Sequence, residues 1–190
     1  MNNNFHKIIK DKYGIMSGDG KLVFVKTGRG GSVYGYNNKY LNLAKSILTL
    51  YGYSVVISAN PADSECYLNE ELEEVKEYIG YYDEVYFIGV SAGALVGAQQ
   101  GYMNEKISKM LLVNGPLMIN WPKTKTGIEK FQGSRVEMLY GMRDPSYKYF
   151  EILNYINSDK LERDTVEDAD HNFAGKEKIL EQKIIDFINN

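Results

Sequence analysis

The most constraining feature of this 190-residue chain is the passage from an apolar run, Glu84-Val85-Tyr86-Phe87-Ile88, into Gly89-Val90-Ser91-Ala92-Gly93 and on into Ala94-Leu95-Val96. A strand that reverses into a helix within a few residues brings neighbouring backbone very close. Glycine is needed where a side chain would collide. The pattern predicts Ser91 at the tip of a sharp strand-to-helix turn, its backbone strained and its hydroxyl exposed.

The rest of the chain is read around that turn. Apolar runs at 52–58, 109–114, 135–141 and 160–166 have the β-branched, turn-bounded character of buried strands. Between and after them, 37–50, 69–79, 92–100, 146–156 and 176–188 carry helical periodicity. In 37–50 the stripe is Leu41, Ala44, Ile47, Leu48 and, just beyond, Tyr51. In 69–79 it is Leu72, Val75, Tyr78 and Ile79, with Glu70, Glu71, Glu73, Glu74 and Glu77 read as the solvated face. Strands alternating with helices predict an α/β fold with a mostly parallel sheet and helices on both faces. At the amino-terminal end, 5–13 reads as an edge strand and 21–26 as its hairpin partner across the turn Ser17-Gly18-Asp19-Gly20. One stretch, 117–133, breaks the rhythm. It reads either as a short lid or as a surface excursion with its aromatic residues packed down.

Composition removes several classes of function. With 44% hydrophobic and 25% charged residues, the length suits a single domain spanning 1–190. A net charge of -3 with intermixed signs provides no basic face, so nucleic acid is not an expected partner. No apolar run reaches bilayer length and 1–12 lacks a cleavable leader pattern, so the expectation is a soluble, cytoplasmic protein with no membrane span. Cys66 is the only cysteine, and His6 and His171 are the only histidines. An internal disulfide is thereby excluded, and an imidazole or thiolate metal site is not expected.

Scarcity of histidine also narrows any nucleophilic chemistry. Acyl transfer from a serine needs a base to take the hydroxyl proton and an acid to orient that base. The chain supplies Ser91, then Asp144 in Gly141-Met142-Arg143-Asp144, then His171 in Ala169-Asp170-His171-Asn172-Phe173, each just past a predicted strand. A five-residue Gly-x-Ser-x-Gly match is weak alone; the strand before it, the helix after it and the later acid and histidine give it force. Bland readings stand beside these: Ser91 as a structural turn, Asp144 as the cap of the helix after Pro145, His171 as a surface residue. Asp168 and Asp170 are rival acids, and His6 reads as structural.

A glycine-rich segment, Thr27-Gly28-Arg29-Gly30-Gly31-Ser32, separates the strand at 21–26 from the helix at 37–50. A dinucleotide fingerprint would need glycine or alanine where Val33 stands, and the Gly-Lys-Ser/Thr of a phosphate loop is missing. A plain flexible turn and an oxyanion-binding loop remain.

At these residues the sequence resembles the α/β-hydrolase family, over about 21–189. The resemblance implies Ser91 as nucleophile, Asp144 as acid and His171 as base, with no cofactor. It further implies an oxyanion site formed by the N–H of Ala92 and by the glycine-rich loop, at Arg29 with Gly28 and Gly30 as neighbours. The chain has Thr27-Gly28-Arg29 where members often have His-Gly, and it has room for a minimal cap at most. The implied activity is hydrolysis of a small-molecule carboxylic ester or thioester, carboxylesterase-like. A non-catalytic binding protein on the same fold and an acyltransferase are the alternatives. Met118, Ile119, Trp121, Tyr147 and Phe173 are candidates for an apolar substrate pocket, beside the simpler reading of each as core. The sequence does not name the acyl group or an oligomeric state.

Overall fold

The computed structural model describes residues 4–62 and 65–190. Eight strands form one sheet: β1 (Lys7–Ile9), β2 (Tyr13–Met16), β3 (Leu22–Lys26), β4 (Ser54–Ser58), β5 (Val85–Val90), β6 (Ile107–Val113), β7 (Arg135–Gly141) and β8 (Leu161–Val166), in the order β1-β2-β4-β3-β5-β6-β7-β8. From β4 to β8 every neighbouring pair is parallel. β1 and β2 are antiparallel to each other, and β2 is antiparallel to β4.

Five α-helices cover the sheet: α1 (Lys39–Tyr51), α2 (Leu68–Ile79), α3 (Ala92–Gln100), α4 (Trp121–Glu129) and α5 (Glu177–Asn189). Successive strand residues point to opposite faces, and each face has its own apolar core. Val23, Val25, Val55, Ile57, Ile88 and Leu111 pack with α1 and α5. Leu22, Phe24, Val56, Phe87, Met110 and Leu112 pack with α2, α3 and α4. The central strands are buried along their whole length, because both faces are covered.

Several sequence expectations are corrected. The hairpin joins β1 to β2 across residues 10–12, with Lys10 and Asp11 at positive φ. The strand at 22–26 instead lies inside the sheet between β4 and β5. Parallel neighbours connected through helices satisfy its two edges. The apolar strand that reads as a hairpin arm is thus a central one.

Residues 117–133 contain the regular helix α4, which packs on α3. The backbone of Gly127 comes so close to α3 that a Cβ there would lie 2.1 Å from the carbonyl oxygen of Ala98. The segment 145–155 is a 3-10 helix rather than an α-helix. Glu71 does not belong to a solvated face. It shares the inward stripe with Leu68, Leu72 and Val75 and is 6% exposed, bonded to the equally buried Lys26. No helix among the described residues is long and apolar enough to cross a membrane.

Candidate active site

The carboxyl ends of the parallel strands place four loops side by side, the usual location for sites in open α/β sheets. β5 ends at Val90, and Ser91 takes φ 55°, ψ -118° before α3 begins. This is a strained conformation for a residue with a side chain. Close packing enforces it, since a Cβ on Gly93 would lie 2.1 Å from the carbonyl oxygen of Lys26 at the end of β3. The Ser91 N–H donates to the carbonyl of Val113 on β6, fixing the turn against the neighbouring strand.

Ser91 Oγ lies 3.0 Å from His171 Nε2. On the opposite side of the ring, His171 Nδ1 is hydrogen-bonded to Asp144 Oδ2. Asp144 is 4% exposed, and its other oxygen accepts the N–H of Ser146 at 2.6 Å. The helix-capping and ring-orienting readings of this aspartate are therefore both satisfied, one oxygen each. Asp170 is turned elsewhere, its Oδ1 accepting the N–H groups of Asn172 and Ala174 within its own loop. The bond to Asp144 raises the His171 pKa above its ordinary 6.5, outweighing the opposing effect of burial.

Asn114, just past β6, escaped the sequence reading. It is fully buried at φ 49° and spans the two loops that carry the acid and the histidine. Its Nδ2 donates to the carbonyls of Asp170 and His171 at 3.3 and 3.1 Å, and its Oδ1 accepts the N–H of Gly141 at 2.8 Å. A signal was present, because asparagine tolerates positive φ and stands directly at a strand end.

The glycine-rich loop lies against the serine. A Cβ on Gly28 would be 3.1 Å from Ser91 Cβ and 3.5 Å from its Oγ. Gly30 N–H is taken by the carbonyl of Asn60 and Gly31 N–H by that of Gly28. The N–H groups of Gly28, Arg29 and Ala92 have no acceptor among the described residues. Of the four oxyanion candidates, Gly30 therefore has its donor occupied, while the N–H groups of Ala92, Arg29 and Gly28 are without an acceptor among the described residues.

A cavity of about 320 Å³ opens next to Ser91, walled by the glycine-rich loop, Tyr36, Lys39, Tyr40, His171 and Asn172. None of the five residues expected in an apolar pocket lines it. Phe173 is 1% exposed and belongs to the core under α1 and α5. Trp121 and Tyr147 pack on the opposite core, and Met118 and Ile119 project into solvent. The walls come instead from the loop after β3, from the start of α1 and from the loop that carries His171, positions outside the apolar pocket expected from the sequence. No group of three or more potential metal ligands occurs among the described residues.

No family model and no curated protein matches the sequence. Solved structures do match in fold. Est1E from Butyrivibrio proteoclasticus aligns with a TM-score of 0.72 at 10% identity, covering 94% of each chain. A putative alpha/beta hydrolase of unknown function from Agrobacterium tumefaciens aligns at 0.74 and 12% identity, covering 93% of this chain and 89% of that one. An alpha-beta serine hydrolase homologue from Coxiella burnetii aligns at 0.69 and 18% identity, covering 91% and 89%. The chain has the α/β-hydrolase fold.

Proposed function

We propose that this protein is a serine hydrolase that cleaves a carboxylic ester or thioester through an acyl-enzyme on Ser91. The observation that carries the reading is the continuous contact from Ser91 Oγ through the His171 ring to the buried Asp144 carboxylate. Esterases and hydrolases among the similarly folded structures support it, although fold alone leaves the chemistry to the site.

Ser91 Oγ attacks the carbonyl carbon while its proton passes to His171 Nε2. Asp144 stabilises the imidazolium through Nδ1. The negative charge that develops on the carbonyl oxygen is held by the N–H groups of Ala92 and of Arg29 in the glycine-rich loop, each contributing on the order of a hundredfold in rate. The bond to the leaving oxygen or sulfur then breaks, and His171 returns the proton to that atom. Water attacks the acyl carbon, gives a proton to His171, and the acid departs as Ser91 Oγ is reprotonated.

A fluorophosphonate probe tests this directly. Folded protein should be labelled at Ser91 and should release p-nitrophenol from short-chain esters, and Ser91→Ala should do neither. Intact protein that resists labelling would be a non-catalytic member of the fold.

A further inference from the structure

The cavity beside Ser91 carries charge of one sign. Lys39 and Arg29 are the charged side chains of its wall apart from His171, and no carboxylate lines it. Lys39 heads α1, and its ammonium donates to the carbonyl of Asn172 at 2.9 Å but forms no ion pair among the described residues. Two acids lie near enough to act on it, Glu177 and Asp170. Glu177 accepts from Asn37, and Asp170 is occupied by its own loop. Burial lowers the Lys39 pKa, the sign of a cation short of compensating charge. The exposed Arg29 donates Nε–H to the carbonyl of Ala62 at 3.0 Å, and the rest of its planar fork has no partner among the described residues.

On the other side of Arg29 lies a second cavity, of about 310 Å³, whose wall includes Ala92, Leu95, Val96 and Pro61. The serine turn thus stands between two recesses that share Arg29, the first with Lys39 as a second cation and the second of mixed lining, with Leu95 and Val96 as its aliphatic part.

We propose that the substrate of this hydrolase is an ester with a compact anionic group, such as a carboxylate, on one side of the scissile carbonyl. That group is held by Lys39 and the Arg29 guanidinium, and the uncharged remainder lies along Leu95 and Val96. The inference rests on the serine-hydrolase reading and adds the substrate class. A carboxylate entering the recess supplies Lys39 with the counter-charge it lacks and matches the fork of Arg29.

Two matched pairs of probes test it and separate the two possible positions of the anion. The p-nitrophenyl hemiester of glutaric acid against p-nitrophenyl butyrate places the charge on the acyl side. The butyrate ester of 4-hydroxybenzoate against phenyl butyrate places it on the leaving group. In at least one pair the ratio of kcat/KM, charged over neutral, should be about tenfold or more, and should fall as salt is raised. Lys39→Met and Arg29→Gln should each reduce that ratio severalfold, and Lys39→Arg should retain most of it. Because both esters are read on the same preparation, a partly folded variant lowers both rates and leaves the ratio intact. Ratios near one in both pairs, or a preference that survives in Arg29→Gln/Lys39→Met, would overturn the proposal while Ser91 labelling and neutral-ester turnover leave the hydrolase reading standing. Failure of all four esters together with absent labelling would remove both.

Discussion

His171 is the residue on which the proposed chemistry turns, and its ionisation is set by one neighbour. The bond from Nδ1 to Asp144 favours the charged ring, so the folded pKa lies above 6.5. As a base the ring must be neutral. Expected kcat/KM therefore rises with pH through a midpoint above 6.5, measurable from a pH–rate profile on a neutral ester. Asp144→Asn removes the charge and permits the wrong tautomer; turnover should drop roughly 10⁴-fold, and the midpoint of what remains should move downward. The same shift has a stability counterpart of fixed sign. Stabilisation from the pair is fully present below the unfolded pKa and is lost as pH rises through the raised folded value. That Ser91, Asp144 and His171 would lie together was legible in the sequence, since each stands just past a strand of a parallel sheet and such ends converge on one edge. Lys39 was not, and Asn114 was signalled only as an asparagine at a strand end, not as the tie between two loops. Nothing in a lone lysine in the first turn of an amphipathic helix tells whether its ammonium meets solvent or a cavity, and both residues act across more than 50 positions of chain.

Among the elements, the turn from β5 to α3 and the loop after β3 constrain each other through their glycines, which do different things. A methyl at Gly93 meets backbone, the carbonyl oxygen of Lys26 at 2.1 Å, and backbone in a central strand cannot retreat. Gly93→Ala should destabilise the fold by about 1–3 kcal/mol or more, seen as a lower urea midpoint. A methyl at Gly28 meets Ser91 Cβ at 3.1 Å, a contact that a shift of a few tenths of an ångström in the glycine-rich loop relieves. Gly28→Ala should thus leave the urea midpoint nearly unchanged while ester turnover falls severalfold, because the loop that carries the Arg29 N–H backs away from Ser91. Comparable losses of stability in both variants would contradict this division. Elements of this kind were readable where periodicity was strong: β7 spans the expected 135–141, and α2 and α5 begin and end within about a residue of expectation. Pairing was not readable, because an apolar strand such as Leu22–Lys26 fits a hairpin arm and a central parallel strand equally well, and only the later strands decide.

At the scale of the whole molecule, the least expected feature is a buried charge pair where several segments meet. Lys26 ends β3, Ser58 ends β4 and Glu71 lies on α2. The Lys26 ammonium donates to both Glu71 oxygens at 2.8 and 3.0 Å, to Ser58 Oγ at 3.0 Å and to the carbonyl of Ala59 at 2.9 Å. Ser58 Oγ donates back to Glu71 at 2.8 Å, and Lys12 from the turn between β1 and β2 stands 3.9 Å from the same carboxylate. The stripe at 68, 71, 72 and 75 has helical spacing, so the position of Glu71 was in the sequence, but the default of placing an acid outside concealed it. Every donor and acceptor in the cluster is satisfied, yet desolvating two charges costs nearly what their attraction returns. The pair should therefore act through the damage done by breaking it. Lys26→Met alone leaves the buried carboxylate with only the more distant Lys12 as counter-charge and should cost about 3 kcal/mol in urea denaturation. Glu71→Leu alone leaves the Lys26 ammonium without a carboxylate and should cost about 3–5 kcal/mol. The double variant Lys26→Met/Glu71→Leu should recover most of that loss, a coupling far beyond the additivity of separate sites. Because Lys26 immediately precedes Thr27 and the glycine-rich loop, ester turnover measured on the same three proteins tests whether the pair also holds that loop. A double variant that regains stability but not turnover would assign the buried charges to placing the oxyanion donors, whereas full recovery of both would assign them to the fold alone.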